Sequence, residues 1–218
     1  MKTFLSIGSG PGIGLAVATR FAREGFRVVF SARDASRTRE LADGLRAQGH
    51  TVEARAVDAA DPDGVAALVA DVEAAFGGLD VLHFNAASMR NQTLEQQPRD
   101  TFNADLAVNI GGALAAAQAA APGMTARGAG SILLTGGGFA LQPHPAYLSL
   151  SIGKAGVRAL AHGIAEPLRA KGVHVATVTV AGFVDDARHA EAVAERFWAL
   201  HSQPAGAWTV EETYTPGA

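Results

Sequence analysis

Ile7-Gly8-Ser9-Gly10-Pro11-Gly12-Ile13-Gly14 follows a short apolar run, Thr3–Ile7, and opens an amphipathic segment. Phosphate recognition needs backbone N–H donors, close approach and a helix N-terminus aimed at the anion. Glycine permits the tight turn and removes the Cβ that would hold a pyrophosphate away. Counted from Gly8 and Gly10, the spacing G-x-G-x-x-G would need a third glycine where Ile13 stands. The spacing G-x-x-x-G-x-G fits, on Gly8, Gly12 and Gly14. No Gly-Lys-Ser/Thr follows, which excludes a kinase-type P-loop. The turn is expected to cradle a dinucleotide, with Gly8, Ser9, Gly12, Ile13 and Gly14 at its phosphates; the alternative is a tight turn without a ligand.

The end of the second strand selects the nucleotide. An Asp or Glu about 20 residues past the turn would hold the ribose hydroxyls of NAD. Ser31-Ala32-Arg33 stands there instead. A guanidinium pairs with a 2′-phosphate through charge-assisted hydrogen bonds. Arg33 therefore favours NADP(H) over NAD(H), although Asp34 beside it would oppose a phosphate, and a solvated surface arginine is the alternative.

These residues need a frame. Strands are expected at Thr3–Ile7, Arg27–Ser31, Thr51–Val57, Val81–Asn85, Ser131–Thr135, His174–Val180 and, more weakly, Trp208–Tyr214. They are rich in β-branched and aromatic residues and bounded by Gly, Asp or Asn. Helices are expected at Gly12–Glu24, Ser36–Gln48, Pro62–Phe76, Thr101–Ala121, Ala146–Ala170 and Ala187–His201. Asp61 before Pro62 reads as an N-cap, and Gly25, Gly49 and Gly172 as helix ends. The alternation implies right-handed crossovers and a parallel sheet covered on both faces. The expected fold is α/β, a doubly wound Rossmann-like domain with about seven strands. No linker, repeat or composition shift divides residues 1–218, so one domain is expected.

Composition narrows the function. The net charge is −3, without a run of Lys or Arg, which argues against nucleic acid or a membrane surface as partner. The chain has no cysteine, so thiolate catalysis, disulfides and Cys-based metal sites are excluded. Its seven histidines show no metal-ligand pairing, and no metal is expected. The first apolar run is too short for a signal peptide, so a cytoplasmic protein is expected.

The chain resembles the short-chain dehydrogenase/reductase family along nearly its whole length. The spacing of Gly8, Gly12 and Gly14 is similar to the family's cofactor turn. Val57-Asp58-Ala59 resembles its Asp-containing step after the third strand, which implies that Asp58 and Ala59 face the adenine. Phe84-Asn85-Ala86-Ala87 resembles a degenerate Asn-Asn-Ala-Gly. Asn109, in Ala-Val-Asn-Ile-Gly, is similar to the helix asparagine of the catalytic set, and Lys154 to the lysine of Tyr-x-x-x-Lys. Val180-Ala181-Gly182-Phe183-Val184 resembles the segment that touches the nicotinamide, which implies contacts from Gly182 and Val184.

The departures fall at the chemistry. The catalytic tyrosine position holds Leu150 and the serine position Gly137. In the family mechanism the tyrosine protonates the carbonyl oxygen while a hydride leaves the nicotinamide, and the lysine lowers the tyrosine pKa and binds the ribose. Such acid–base help is typically worth about 10²–10⁴-fold. Tyr147 precedes Lys154 by seven residues and would share its helix face if the helix includes it. It is the candidate substitute acid; the alternative is a pocket or interface aromatic. His144 and Thr135 are further candidates.

The alanine-rich stretch Gly111–Ala117 would let another helix approach closely, and the resemblance implies a homodimer or homotetramer; alanines that merely favour helix are the alternative. Two functions stand open: an NADP(H)-dependent oxidoreductase acting on a small carbonyl or alcohol with an altered proton relay, or a cofactor-binding sensor or complex partner without that chemistry.

Overall fold

The computed structural model describes residues 1–217. Seven strands form one sheet: β1 (Thr3–Ile7), β2 (Arg27–Ala32), β3 (Val52–Ala56), β4 (Val81–Phe84), β5 (Gly130–Gly137), β6 (Val173–Val180) and β7 (Glu211–Tyr214). Their order is β3-β2-β1-β4-β5-β6-β7, and every pairing is parallel. The direction of winding reverses between β1 and β4. In open α/β sheets ligands bind outside the carboxyl ends of the strands at such a switch point.

The helices are α1 (Ile13–Arg23), α2 (Ala35–Arg46), α3 (Pro62–Phe76), α4 (Arg99–Leu106), α5 (Gly112–Arg127), α6 (Leu148–Arg169) and α7 (Ala187–His201). They cover both faces, and each face carries its own core. Val17, Phe21, Val28, Phe30, Val178 and Phe197 pack on the side of α1 and α7. Leu5, Val29, Val69, Leu82, Ala116, Ile132 and Val157 pack on the side of α3, α5 and α6. Adjacent residues of one strand thus serve opposite cores, as period-two alternation requires.

Local chemistry sets the ends much as expected. Asp61 caps α3, accepting from the Asp63 amide at 3.1 Å, with Pro62 in the first turn. Gly25, Gly49 and Gly172 follow their helices in the left-handed region. Several boundaries differ from the sequence reading. The expected helix Thr101–Ala121 is α4 and α5 joined by one π-helical turn, Ala107–Gly111, and α5 runs through Pro122 to Arg127. Proline removes one backbone bond, but burial of Ala120 and Met124 against the sheet holds the last turns. The third strand is shorter than expected, and β7 begins at Glu211 rather than Trp208.

One more difference matters for chemistry. α6 starts at Leu148, not Ala146. Pro145 disfavours helical backbone at His144. The Ser151 hydroxyl donates to the Tyr147 carbonyl at 2.8 Å and accepts from the His144 amide at 3.1 Å, tying the loop across the first turn. Tyr147 is left outside the helix with φ −134° and ψ 48°.

Candidate active site

A cleft of about 840 Å³ runs along the carboxyl ends of the strands, from the glycine turn to the start of α6. Gly10, Gly12, Ile13 and Gly14 line one end. Around Gly10 and Gly12 the space that a Cβ would enter is open. α1 begins at Ile13 without a side-chain cap, so its first N–H groups face the cleft unclaimed by a side chain. This end is a backbone cradle with room for an anion.

Gly8 and Ser9 belong to its foundation. Both amides donate to the Ser31 carbonyl at 2.9 Å, and the Ser9 hydroxyl donates to the Ser6 carbonyl at 3.1 Å. Gly8 has φ +88°, and a Cβ there would collide with the Ala86 backbone. Asn85 braces the same turn: its Nδ2 donates to the Gly8 carbonyl at 2.9 Å, and the residue also lines the cleft. Neither Gly8 nor Ser9 lines the cleft; their work is to shape the turn for Gly12, Ile13 and Gly14.

Arg33 is exposed just past β2. Its neighbour Asp34 is turned toward α2, where its Oδ1 accepts from the Ser36 and Arg37 amides at 3.0 and 3.2 Å. The Ser36 hydroxyl, donating to the same oxygen at 2.6 Å, and those two amides pull the Asp34 carboxyl below its ordinary pKa. Asp58 is exposed and holds its own turn by accepting from the Ala60 amide at 3.0 Å, while Ala59 is buried against Gly112 of α5.

The other end of the cleft is lined by Thr135, Gly136, Gly137, Leu150, Lys154, Val180, Ala181, Gly182, Phe183 and Val184. Leu150 faces into it one turn before Lys154. Ser149 and Ser151 point elsewhere, Ser149 donating to Asp105 at 2.8 Å. The Lys154 stem runs over Gly137, where a Cβ would lie 3.2 Å from Lys154 Cγ. Its Nζ donates to the Thr135 carbonyl at 2.6 Å. Burial pushes the ammonium from its ordinary 10.5 down to about 8.

A polar relay crosses the sheet behind this corner. The Thr135 hydroxyl meets His83 Nε2 at 3.1 Å, and His83 Nδ1 meets the Ser6 hydroxyl at 3.2 Å. Burial, with the Lys154 charge beyond it, pushes His83 down to about 3, so the ring is neutral. A neutral imidazole offers one donor and one acceptor, matching two hydroxyls that can each do either. Thr135 therefore faces the α1–α7 side, toward His83.

Asn109 sits in the π-helical turn, almost fully buried. Its Oδ1 accepts from the Ser88 amide at 2.6 Å and its Nδ2 donates to the Ser88 carbonyl at 3.2 Å. It holds the loop after β4 and does not line the cleft. Asp105, one helical turn earlier, does the same on a larger scale. It receives Arg90 Nε at 2.8 Å, the Ser88 hydroxyl at 2.6 Å, Ser149 at 2.8 Å and Gln97 at 3.3 Å. Burial pushes its carboxyl up, but these four donors outweigh it and hold the pKa at about 2. The sequence reading missed Asp105; its signal was the i, i+4 spacing to Asn109 on an otherwise apolar face.

Tyr147 does not join Lys154. Its hydroxyl accepts from Asn91 Nδ2 at 3.2 Å, and its ring stacks on Phe139 with centroids 5.4 Å apart, beside His144 and Phe183. The helix starts one residue too late to place it on the Lys154 face. His144 lies exposed at the cleft mouth, its Nδ1 accepting from the Ala146 amide at 3.1 Å. Phe183 lies at the rim, whereas Phe197 belongs to the α1–α7 core. Asp185, Asp186 and His189 cluster beyond that rim; Asp186 caps α7 and His189 bonds the Tyr214 hydroxyl at 2.7 Å.

The short chain dehydrogenase profile matches residues 2–196. The chain belongs to the short-chain dehydrogenase family. An uncharacterized oxidoreductase of Thermotoga maritima is 31% identical over 178 residues, 82% of this chain and 70% of the relative. Gluconate 5-dehydrogenase of Gluconobacter oxydans is 28% identical over 211 residues, 95% and 82% of the two chains. The crystal structure of a short-chain dehydrogenase from Rhodopseudomonas palustris superposes with a TM-score of 0.91 at 30% identity, covering 99% of this chain and 98% of the other. That of a metagenomic short-chain oxidoreductase in complex with NADP gives 0.92 at 27% identity, covering 100% and 98%. Membership in the short-chain dehydrogenase family and the seven-stranded Rossmann-like sheet accord with the sequence reading. Among the described residues no helix is long and apolar enough to cross a membrane.

Proposed function

We propose that this short-chain dehydrogenase is an NADP(H)-dependent oxidoreductase that interconverts a small carbonyl compound and its alcohol through an altered proton relay. The observation that carries it is the single cleft joining the uncapped N-terminus of α1 to Lys154 and the Ala181–Val184 segment. The residues present fit a dinucleotide, because the space over Gly10 and Gly12 is open where any side chain would project.

The amides of Gly12, Ile13 and Gly14 would hold the pyrophosphate, on the shape that Gly8, Ser9 and Asn85 give the turn. Arg33 would pair with the 2′-phosphate, its neighbour Asp34 being engaged at the cap of α2. Asp58 and Ala59 would border the adenine, Lys154 the nicotinamide ribose, and Gly182 and Val184 the nicotinamide. The metagenomic relative crystallised with NADP supports the choice of nucleotide. When bound, the cofactor supplies or accepts a hydride. Asn109 and Asp105 would act at a distance, fixing the loop that carries Met89 to the cleft wall.

A second reading rests on Leu150 and Gly137: a cofactor-binding sensor or complex partner, without turnover. Titrating the chain with NADPH and then following NADPH oxidation with benzaldehyde, cyclohexanone and 5-ketogluconate separates the two. Binding with turnover supports the oxidoreductase; binding without turnover supports the sensor; no binding refutes both. We further propose one domain, cytoplasmic, assembled as a homodimer or homotetramer through α5 and α6, where Leu114 and Ile152 are exposed. The small residues of these helices also serve contacts inside the chain, Gly112 against Ala59 and Gly153 against Asn109, so light scattering of the purified protein is the test of assembly.

A further inference from the structure

We infer that Lys154 Nζ is itself the proton donor to the substrate oxygen, taking the place of the phenol that Leu150 cannot provide. The inference rests on the oxidoreductase reading above.

Among the described residues two titratable side chains line the cleft, Lys154 and His144. His144 is exposed at the mouth, with one ring nitrogen committed to the Ala146 amide. Lys154 lies at the inner end, among Leu150, Gly137 and Thr135. The other polar groups there are occupied: the Thr135 hydroxyl by His83, and the Asn85 amide by the Gly8 carbonyl. Among the described residues no carboxylate lines the cleft to claim the ammonium.

The ammonium is also aimed. Gly137 has no side chain, so the lysine stem lies directly over the strand end. One N–H is anchored on the Thr135 carbonyl, and an ammonium has three. Two donors are therefore left for the cleft, one for a ribose hydroxyl and one for a substrate oxygen. Nothing but Leu150 stands on the same face one turn earlier, and a leucine neither accepts nor relays a proton.

The proton is also transferable. A lysine at its ordinary 10.5 would hold it at neutral pH, whereas burial brings Lys154 down to about 8. The ionisable groups facing it are His83, which is neutral and beyond Thr135, and His144 across the cleft mouth; neither adds a negative charge that would restore its affinity for the proton. In the step, the carbonyl carbon receives a hydride with its electron pair from the reduced nicotinamide. The C=O π pair moves to oxygen, an N–H bond of Lys154 breaks, and the new O–H bond takes that proton. The product is an alcohol and a neutral amine, which regains its proton from water through the open mouth of the cleft.

The chain contains three lysines, Lys2, Lys154 and Lys171, so lysine labelled with ¹³C at Cε gives three resonances, assignable with Lys154→Arg. Three measurements are made on the full chain: NADPH affinity, the titration of the Lys154 resonance, and single-turnover reduction of the best aldehyde or ketone found against pH. The expected result is a rate that falls above the pH at which Lys154 titrates, near 8, with the two midpoints coincident. Lys154→Arg keeps the charge but does not release its proton; at NADPH saturating for the variant it should reduce about 100-fold more slowly or worse. Reduction that survives Lys154→Arg overturns the proposal and leaves the oxidoreductase reading standing. So do midpoints that disagree, or loss of rate in His144→Ala with Lys154→Arg unaffected. A wild-type chain that binds NADPH and reduces nothing overturns both.

Discussion

The two ends of the cleft are built from different parts of the chain's chemistry. At the α1 end the cleft is bordered by backbone amides, and the side chains around them, Ser9, Ser31 and Asn85, hold the turn in shape. At the α6 end the work depends on side chains, and two of the family's set are absent, at Leu150 and Gly137. A backbone cradle needs no particular side chain, only the glycines that keep its space open, because its donors belong to the main chain. A proton relay is lost with a single side chain. Recognition of the nucleotide and chemistry upon it can therefore diverge within one fold.

Four changes would break or sharpen this contrast. The largest effect is expected from Gly12→Val. A Cβ there meets nothing within 4 Å, so the fold should survive while the side chain fills the phosphate space. NADPH affinity should fall about 100-fold, ~2.7 kcal/mol, with little change in thermal melting; retained affinity would mean the nucleotide lies elsewhere. Leu150→Tyr probes the other end. A phenol one turn from Lys154 should raise the rate of carbonyl reduction by about tenfold or more. A lower rate in stopped-flow assays would mean that Leu150 does not border the reacting oxygen.

Arg33→Ala should weaken NADPH about tenfold, as expected for loss of a charge-assisted hydrogen bond, and leave NADH nearly unchanged. Equal losses for both would remove the argument for a 2′-phosphate. The smallest effect concerns the loop over the cleft. The Asp105 pKa, held at about 2, lies below its unfolded value of about 3.9, so its contribution is full above pH 4 and is lost as the pH falls toward 2. Hydrogen exchange of residues 88–98 should rise over that window in wild type, and Asp105→Asn should show the raised exchange already at neutral pH.

Much of this is legible in the amino-acid sequence alone. The glycine spacing and the strand–helix alternation identify the fold, because both are local patterns in the chain. Leu150 and Gly137 were legible by counting back from Lys154. Tyr147 was misplaced by one residue of helix. That start depends on Pro145 and on the Ser151 hydroxyl exchanging with His144 and Tyr147 across the turn, which propensity does not reveal. The Ser6–His83–Thr135 relay was invisible for a different reason. Its members come from β1, β4 and β5 and meet only through the order in which those strands pair. The Asp105 cluster likewise gathers residues from α4, the loop after β4 and α6. The readable part was the part that backbone conformation dictates; the hidden part was side-chain chemistry assembled across the sheet.

The central claim is that the intact end of the cleft binds reduced NADP. Fluorescence titration of the purified chain with NADPH and NADH tests it directly. Saturable NADPH binding, about tenfold tighter than NADH and weakened about 100-fold by Gly12→Val, is the result this structure predicts. No NADPH binding, or binding that Gly12→Val leaves untouched, would contradict it.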